Sequence, residues 1–234
     1  MTSHGLRINS ERLREDMDAL AHIGRRENLG IYRMAFSDGD MVGRDWLRQS
    51  IEMSGLEFFQ DGAANLYARL NPDATVPSVI AGSHMDTVPG AGHLDGALGV
   101  VCALEALRVL NESGIDLKRP LEAVSFSDEE GRFGGMFGSQ SVAGLVTPEY
   151  LHNASDFDGV TLSDAMAAQG LDAREALHAQ RNPDSIHAYV ELHIEQGPIL
   201  DRKGLSCLLY TSDAADDTQF VGLGGGGGGG CGGG

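Results

Sequence analysis

The sequence predicts an α/β fold, a mixed sheet with helices on both faces, from three observations. Short apolar runs of strand length, at 78–83, 121–127 and 186–194, alternate with stretches whose apolar residues recur at helical spacing. Such alternation indicates a sheet clothed by helices. Chemistry-bearing residues stand where the runs give out into glycine-rich loops: His84, Asp95, the pair Glu129-Glu130, and His193. Open α/β sheets bind ligands outside the carboxyl ends of their strands, so residues at those ends can meet at one point.

The elements follow in order. Leu13, Met17, Leu20 and Ile23 keep helical spacing, with Asn9 or Ser10 as N-cap. Met41, Trp46, Leu47 and Ile51 mark a second helix, closed by Gly55. Residues 56–59 and 65–70 read as two short strands joined through Asp61-Gly62, and Asn71-Pro72-Asp73 as a turn. Residues 79–83 form a buried strand, 96–110 a helix stopped around Gly114, and 121–127 the next strand. Two or three helices fall between Ser139 and Ala179, and 186–194 is the last strand. No internal repeat is present, and the pattern reaches residue 206 without closing, so an incomplete sheet is expected.

The chain has 234 residues and a net charge of −17. From Cys207 it reads Cys-Leu-Leu-Tyr-Thr-Ser-Asp-Ala-Ala-Asp-Asp and then runs into glycines broken by Cys231. One codon choice for that string resembles the adapter of transposase-based sequencing libraries, and a poly-G read translates as polyglycine. Residues 207–234 are therefore read as a sequencing artefact without structure, rather than as a flexible linker. On that reading residues 1–206 are the N-terminal part of a catalytic domain, with the gene cut short near Ser206. Removing the tail takes away Asp213, Asp216 and Asp217 and no Lys or Arg, so −17 becomes −14. It also leaves Cys102 as the lone cysteine, a small buried hydrophobe compatible with a reducing compartment. The amino terminus lacks the apolar segment of a signal peptide, and no stretch nears the ~18 apolar residues of a membrane span. A cytoplasmic protein with no membrane partner is expected. The acidic balance argues against nucleic acid, which calls for clustered Lys and Arg.

Taken singly, each polar residue has an ordinary reading. Asp95 among Gly90, Gly92 and Gly96 suits a turn, and a strand histidine such as His193, flanked by Glu191 and Glu195 on one face, is commonly structural. Asp128-Glu129-Glu130 suits a solvated acidic loop about as well as a site. In the functional reading one glutamate binds metal and the other acts as general base. His84-Met85-Asp86 allows Asp86 to accept the second N–H of a ligating His84 and fix its tautomer. Together, His, Asp, Glu and His at strand exits suit a borderline divalent ion such as Zn²⁺ or Mn²⁺.

Five segments carry a closer likeness. Gly82 to Pro89, His93 to Val100, Phe126 to Gly131, Phe137-Gly138-Ser139 and His193 to Pro198 resemble the hydantoinase/carbamoylase amidases, and the match runs in order over residues 10–204. That family holds N-carbamoyl-L-amino-acid hydrolases, allantoate amidohydrolases and β-ureidopropionases, within the di-metal aminoacylase/carboxypeptidase superfamily. The resemblance implies a phosphorylase/hydrolase-like sheet and a metal-dependent amidohydrolase that cleaves a linear ureido or amidine-type C–N bond with a metal-activated water. It implies that His84 and His193 hold one ion, that Asp95 bridges to a second held by Glu130, and that Glu129 is the base. Asp86 would support His84 from behind, and Gln196 would line the substrate pocket.

Members of that family are about twice as long. The resemblance implies a lid and dimerisation domain, a substrate-gripping Arg and a last His ligand that this chain does not carry. At most one well-held ion, and no turnover by the chain alone, are therefore expected, with homodimerisation left to the lid. Two alternatives stay open: a metallopeptidase or aminoacylase of the same superfamily, against which the His193-Ile-Glu-Gln-Gly segment weighs, and a non-catalytic half-length binding module.

Overall fold

The computed structural model describes residues 5–71, 75–205 and 208–213. Helix α1 (Ser10–His22) starts at Asn9, whose side chain accepts the N–H groups of Glu11 and Arg12. Such a cap is worth about 1 kcal/mol. A two-residue ladder follows, β1 (Arg25–Arg26) with β2 (Gly30–Ile31), too short to leave any periodicity in the sequence. Helix α2 (Asp38–Met53) is capped by Ser37, and the chain turns out of it through Gly55 at φ +67. Strands β3 (Glu57–Gln60) and β4 (Leu66–Leu70) pair antiparallel across the loop that holds Asp61 and Gly62. Of the expected Asn71-Pro72-Asp73 turn, residues 72 and 73 lie outside the described residues.

The central units are β5 (Ser78–His84), α3 (Ala97–Ser113) and β6 (Leu121–Phe126), with α3 closed by a left-handed Gly114. Three short helices come next, α4 (Phe137–Val142), α5 (Pro148–Asn153) and α6 (Leu162–Ala168), then 3-10 turns at Ala173–His178 and Pro183–Ser185. The chain goes on into β7 (Ile186–His193), α7 (Ile199–Lys203) and β8 (Leu208–Asp213).

One six-stranded sheet runs in the order β3-β4-β6-β5-β7-β8. Strands β6, β5 and β7 are parallel to one another, while β3–β4, β4–β6 and β7–β8 pair antiparallel. The sheet is thus mixed, as the sequence predicts, and the carboxyl ends of its three parallel strands emerge along one edge. Helices α1, α2 and α3 cover one face, burying Leu20, Leu47, Ile51, Val100, Val101 and Leu104 against Leu66, Ala68 and Ala123. The other face carries Tyr67, Ile80, Val124 and Ile186, with Arg181 from the short-helix region reaching Glu122 at 2.7 Å. The short helices pack round a second cluster that includes Phe36, Phe133, Phe137 and Leu162.

Where the sequence reading expects a tail without structure from residue 207, Leu208–Asp213 pairs antiparallel along β7, from Ala188↔Asp213 to His193↔Leu208. An open strand edge presents unpaired N–H and C=O groups, and a following segment rich in β-compatible residues can satisfy them. Residues 214–234 lie outside the described residues.

Candidate metal centre

The parallel strand ends build the site. His84 is the last residue of β5, next to Phe126 at the end of β6, and His193 is the last residue of β7. The two imidazole centroids lie 6.0 Å apart. Asp95 stands just before α3, where a helix N-terminus favours negative charge. Glu129 and Glu130 follow β6 at the start of a loop whose two arms are joined by backbone bonds from Met136, Phe137 and Gly138 to Glu129, Asp128 and Ser127.

The hydrogen bonds fix the tautomers. His84 Nδ1 lies 3.0 Å from the Asp86 carbonyl and His193 Nδ1 lies 2.6 Å from the Ile194 carbonyl. A carbonyl only accepts, so both Nδ1 atoms carry the proton and both rings turn Nε2 inward as a potential ligand. His84 Nε2 is 3.5 Å from Glu129 Oε2, and His193 Nε2 is 3.3 Å from Asp95 Oδ1. Two groups of ligand atoms result, each within 4.8 Å: His84, Asp95 and His193, and His84, Glu129 and Glu130. His84 belongs to both. Gln196, at φ +57, donates its amide to the second oxygen of Asp95. All seven residues singled out from the sequence thus come together around one strand edge.

Two sequence expectations differ in detail. The Asp86 carboxylate is 3.8 Å from His84 Nδ1, and the ring bonds to the Asp86 backbone carbonyl instead. Its oxygens accept the N–H groups of Glu129 (3.2 Å) and Glu130 (3.0 Å), one each. The physical reason is that two adjacent half-buried amides need an acceptor, and the carbonyl already serves the ring. Glu195 lies beyond β7, where its carboxylate accepts the N–H groups of Ile199 and Leu200.

The donors fit a divalent cation. Asp95 Oδ1 is buried without a hydrogen-bond partner, although it lies within ion-pair distance of His193. The His193 Nε2 and this carboxylate oxygen face each other at 3.3 Å, a nitrogen and an oxygen donor that suit a borderline divalent cation. The charges tell the same story. Burial, reinforced by the charges of Asp95 and Glu129 against the opposing pull of His84, pushes Glu130 up to about 7. Glu129 is raised by burial as well. For His84, burial pulls the imidazole down, but Asp86, Glu129 and Glu130 outweigh it and hold it above its ordinary value. Asp128, fully buried beside them at φ +50, is pushed up to about 8 by burial and then by Asp86. Without a cation, protons are retained where positive charge is wanted.

Sequence reasoning assigns no role to Arg33, although it is 1 % exposed and bonded to the Met85 carbonyl at 2.7 Å and to those of Leu20 and Ile23. Its backbone also pairs with Thr87, in both directions. No motif announces it, because its guanidinium partner beyond the helix end is a backbone carbonyl far along the chain. Among the described residues no helix is long and apolar enough to cross a membrane.

Comparison with known proteins gives the site its context. The model of peptidase family M20/M25/M40 matches residues 80–210. An N-carbamoyl-L-amino acid amidohydrolase of Geobacillus stearothermophilus is 39 % identical over 213 residues, which is 88 % of this chain and 51 % of that protein. An allantoate deiminase of Arabidopsis thaliana is 39 % identical over 165 residues, covering 68 % of this chain and 31 % of that one. The crystal structure of a hydantoinase/carbamoylase family amidase from Burkholderia ambifaria superposes with a TM-score of 0.76 at 37 % identity, covering 85 % of this chain and 48 % of that one. The chain spans about half the length of the Geobacillus and Burkholderia relatives.

Proposed function

The chain belongs to the peptidase family M20/M25/M40, and from that membership we propose that it carries the metal-binding half of a site for hydrolysing linear ureido or amidine-type C–N bonds. N-carbamoyl-L-amino acids, allantoate and ureidoglycolate are the substrates that the relatives' names suggest. The observation that carries the reading is the convergence of His84, Asp95 and His193, whose ligand atoms lie within 4.8 Å of one another, with Asp95 Oδ1 buried without a hydrogen-bond partner. Divalent metal binding follows from the family. The finer assignment is our proposal: in a full-length parent two ions, zinc or manganese, one held by His84, Asp95 and His193 and the other by Glu130 with Asp95 shared, of which this chain alone holds the first well and the second weakly. When bound, such a pair supplies Lewis acidity toward the scissile carbon's oxygen.

The protein's own groups divide the remaining work. Glu129, partly exposed and raised by burial, takes a proton from the attacking water and returns it to the departing nitrogen. Asp86 holds the backbone from which both glutamates project. Gln196, on a left-handed residue beside Asp95, is positioned to donate to a substrate oxygen. Apart from its histidines the gathered set has no cation to grip a substrate carboxylate, so this chain alone is proposed to bind metal with little turnover. Whether a full-length parent pairs as a homodimer belongs to the same proposal. The family also bears a peptidase name, which keeps dipeptide hydrolysis as the second reading.

The test is to load the chain with Zn²⁺ or Mn²⁺, measure stoichiometry, and assay N-carbamoyl amino acids, allantoate, ureidoglycolate and dipeptides side by side. Absence of metal binding would sink the reading. Turnover of a carbamoyl amino acid would support the chemistry and overturn the expectation of little activity. Turnover of dipeptides alone would favour the second reading.

A further inference from the structure

Asn65 is the first residue after the Asp61–Ala64 turn, and it is completely buried. Its Oδ1 accepts the N–H of Ser127 at 2.9 Å, and its Nδ2 donates to the Gly138 carbonyl at 3.1 Å and to Asp61 Oδ2 at 2.8 Å. Ser127 and Gly138 are the two ends of the loop that carries Glu129 and Glu130, and the Gly138 N–H bonds to the Ser127 carbonyl at 2.8 Å. The side-chain amide of Asn65 therefore acts as a surrogate peptide group that closes the base of the glutamate loop. Nothing larger than glycine fits opposite it, since a Cβ at Gly138 would lie 2.1 Å from Asn65 Oδ1 and 2.4 Å from the Ser127 nitrogen.

Three non-glycine residues in left-handed conformation surround this junction: Ala64 (φ +61), Asp128 (φ +50) and Met136 (φ +57). Each costs energy that the surroundings must over-determine, and such strain concentrates where geometry serves function. Asp61 completes the anchor, accepting from Ala63, Asn65 and the Tyr67 hydroxyl. Arg44 adds a bond to Ser127 Oγ at 2.9 Å.

We propose that Asn65 is a positioning residue that sets where Glu129 and Glu130 stand relative to His84. It does so by clamping both ends of their loop. The inference rests on the metal-hydrolase reading of the site, and it concerns the His84–Glu129–Glu130 group while leaving His84–Asp95–His193 alone. Asn65 touches neither metal nor substrate and acts through the Ser127 and Gly138 backbone.

The experiment has a metal-independent arm and a metal arm, run on the full 234-residue chain with N65A and N65D. N65D keeps the acceptor for Ser127 but replaces the donor to Gly138 and Asp61 with an oxygen. Amide hydrogen exchange of the metal-free chain is expected to rise in residues 127–138 while α3 keeps its protection. Zn²⁺ titration against a competing chelator is expected to show binding at the glutamate group weakened roughly tenfold to a hundredfold, the range typical of outer-shell partners. The His84–Asp95–His193 group should keep its affinity, and E130Q and H193A mark which binding step belongs to which group. If N65A does not fold, N65D carries the test. Uniform loss at both groups in a folded variant, or unchanged exchange in 127–138, overturns the proposal. If the unmutated chain binds no metal, the hydrolase reading fails, and the exchange arm still decides whether Asn65 holds the loop.

Discussion

Asp95 is the residue that both proposed ions share, so it separates from its neighbours in a mutational test. Asp95→Ala is expected to weaken both metal-binding steps, and His193→Ala only the one whose ligand group includes it. Each loss should exceed about 100-fold, since outer-shell changes alone reach that range. Stoichiometric titration with Zn²⁺ reads the difference, and equal effects of the two variants would contradict the shared role. Arg33 belongs to this scale too. Its removal strips donors from the carbonyls of Met85, Leu20 and Ile23 in the interior. Arg33→Met should cost about 3 kcal/mol or more, read from denaturant midpoints; a change within about 0.5 kcal/mol would show that the bonds are dispensable. These residues differ in how far they could be read from sequence. His84, Asp95, Glu129, Glu130 and His193 stand out because charged or imidazole groups directly after buried strands call for an explanation. Asn65 and Arg33 do not, because they bond backbone atoms 52 to 73 positions away, which any residue could supply.

Helix α3 is the element that presses the site together. Its first turn is glycine-rich for a steric reason. A Cβ at Gly96 would lie 2.4 Å from His84 Nε2, and one at Gly99 would lie 2.7 Å from the Leu192 carbonyl and 2.8 Å from Ser83 Cβ. Gly96→Ala is thus expected to push the His84 ring aside and weaken metal binding at the His84–Asp95–His193 group by at least about tenfold, the lower end of outer-shell effects. The far-UV spectrum should stay native. Retained affinity in that variant would mean that the ring has room to yield. The sequence shows most elements, since helices as long as α1, α2 and α3 repeat their apolar residues often enough to declare a period. It misses β1, β2 and α7, which are too short to do so. It also leaves β8 unforeseen, because pairing of that segment depends on the open edge of β7 and not on its own pattern.

At the scale of the whole molecule the buried acids couple folding to pH and to metal. Burial pushes Asp128 up to about 8 and Glu130 up to about 7 in the folded chain, against about 4 in an unfolded one. Between those values the folded state holds protons that the unfolded state has released, so stability falls as pH rises through the window. The raised His84 adds in the same direction. The metal-free chain should accordingly be more stable at about pH 5.5 than at about pH 8.5, with the slope reduced in Asp128→Asn and by saturating Zn²⁺. Urea midpoints with and without chelator measure this, and stability that rises with pH would refute the burial of those acids. By itself the sequence determined the α/β class, the order of the major strands and helices, and the residue types offered for metal, because periodicity and strand-end placement are local properties of the chain. Only the tertiary structure decided that β5, β6 and β7 run parallel so that His84, the glutamates and His193 share one edge. It also turned Asp86 toward the glutamate amides and closed their loop on Asn65. Those outcomes depend on which backbone groups are left without partners once the sheet has formed, and no local pattern records that.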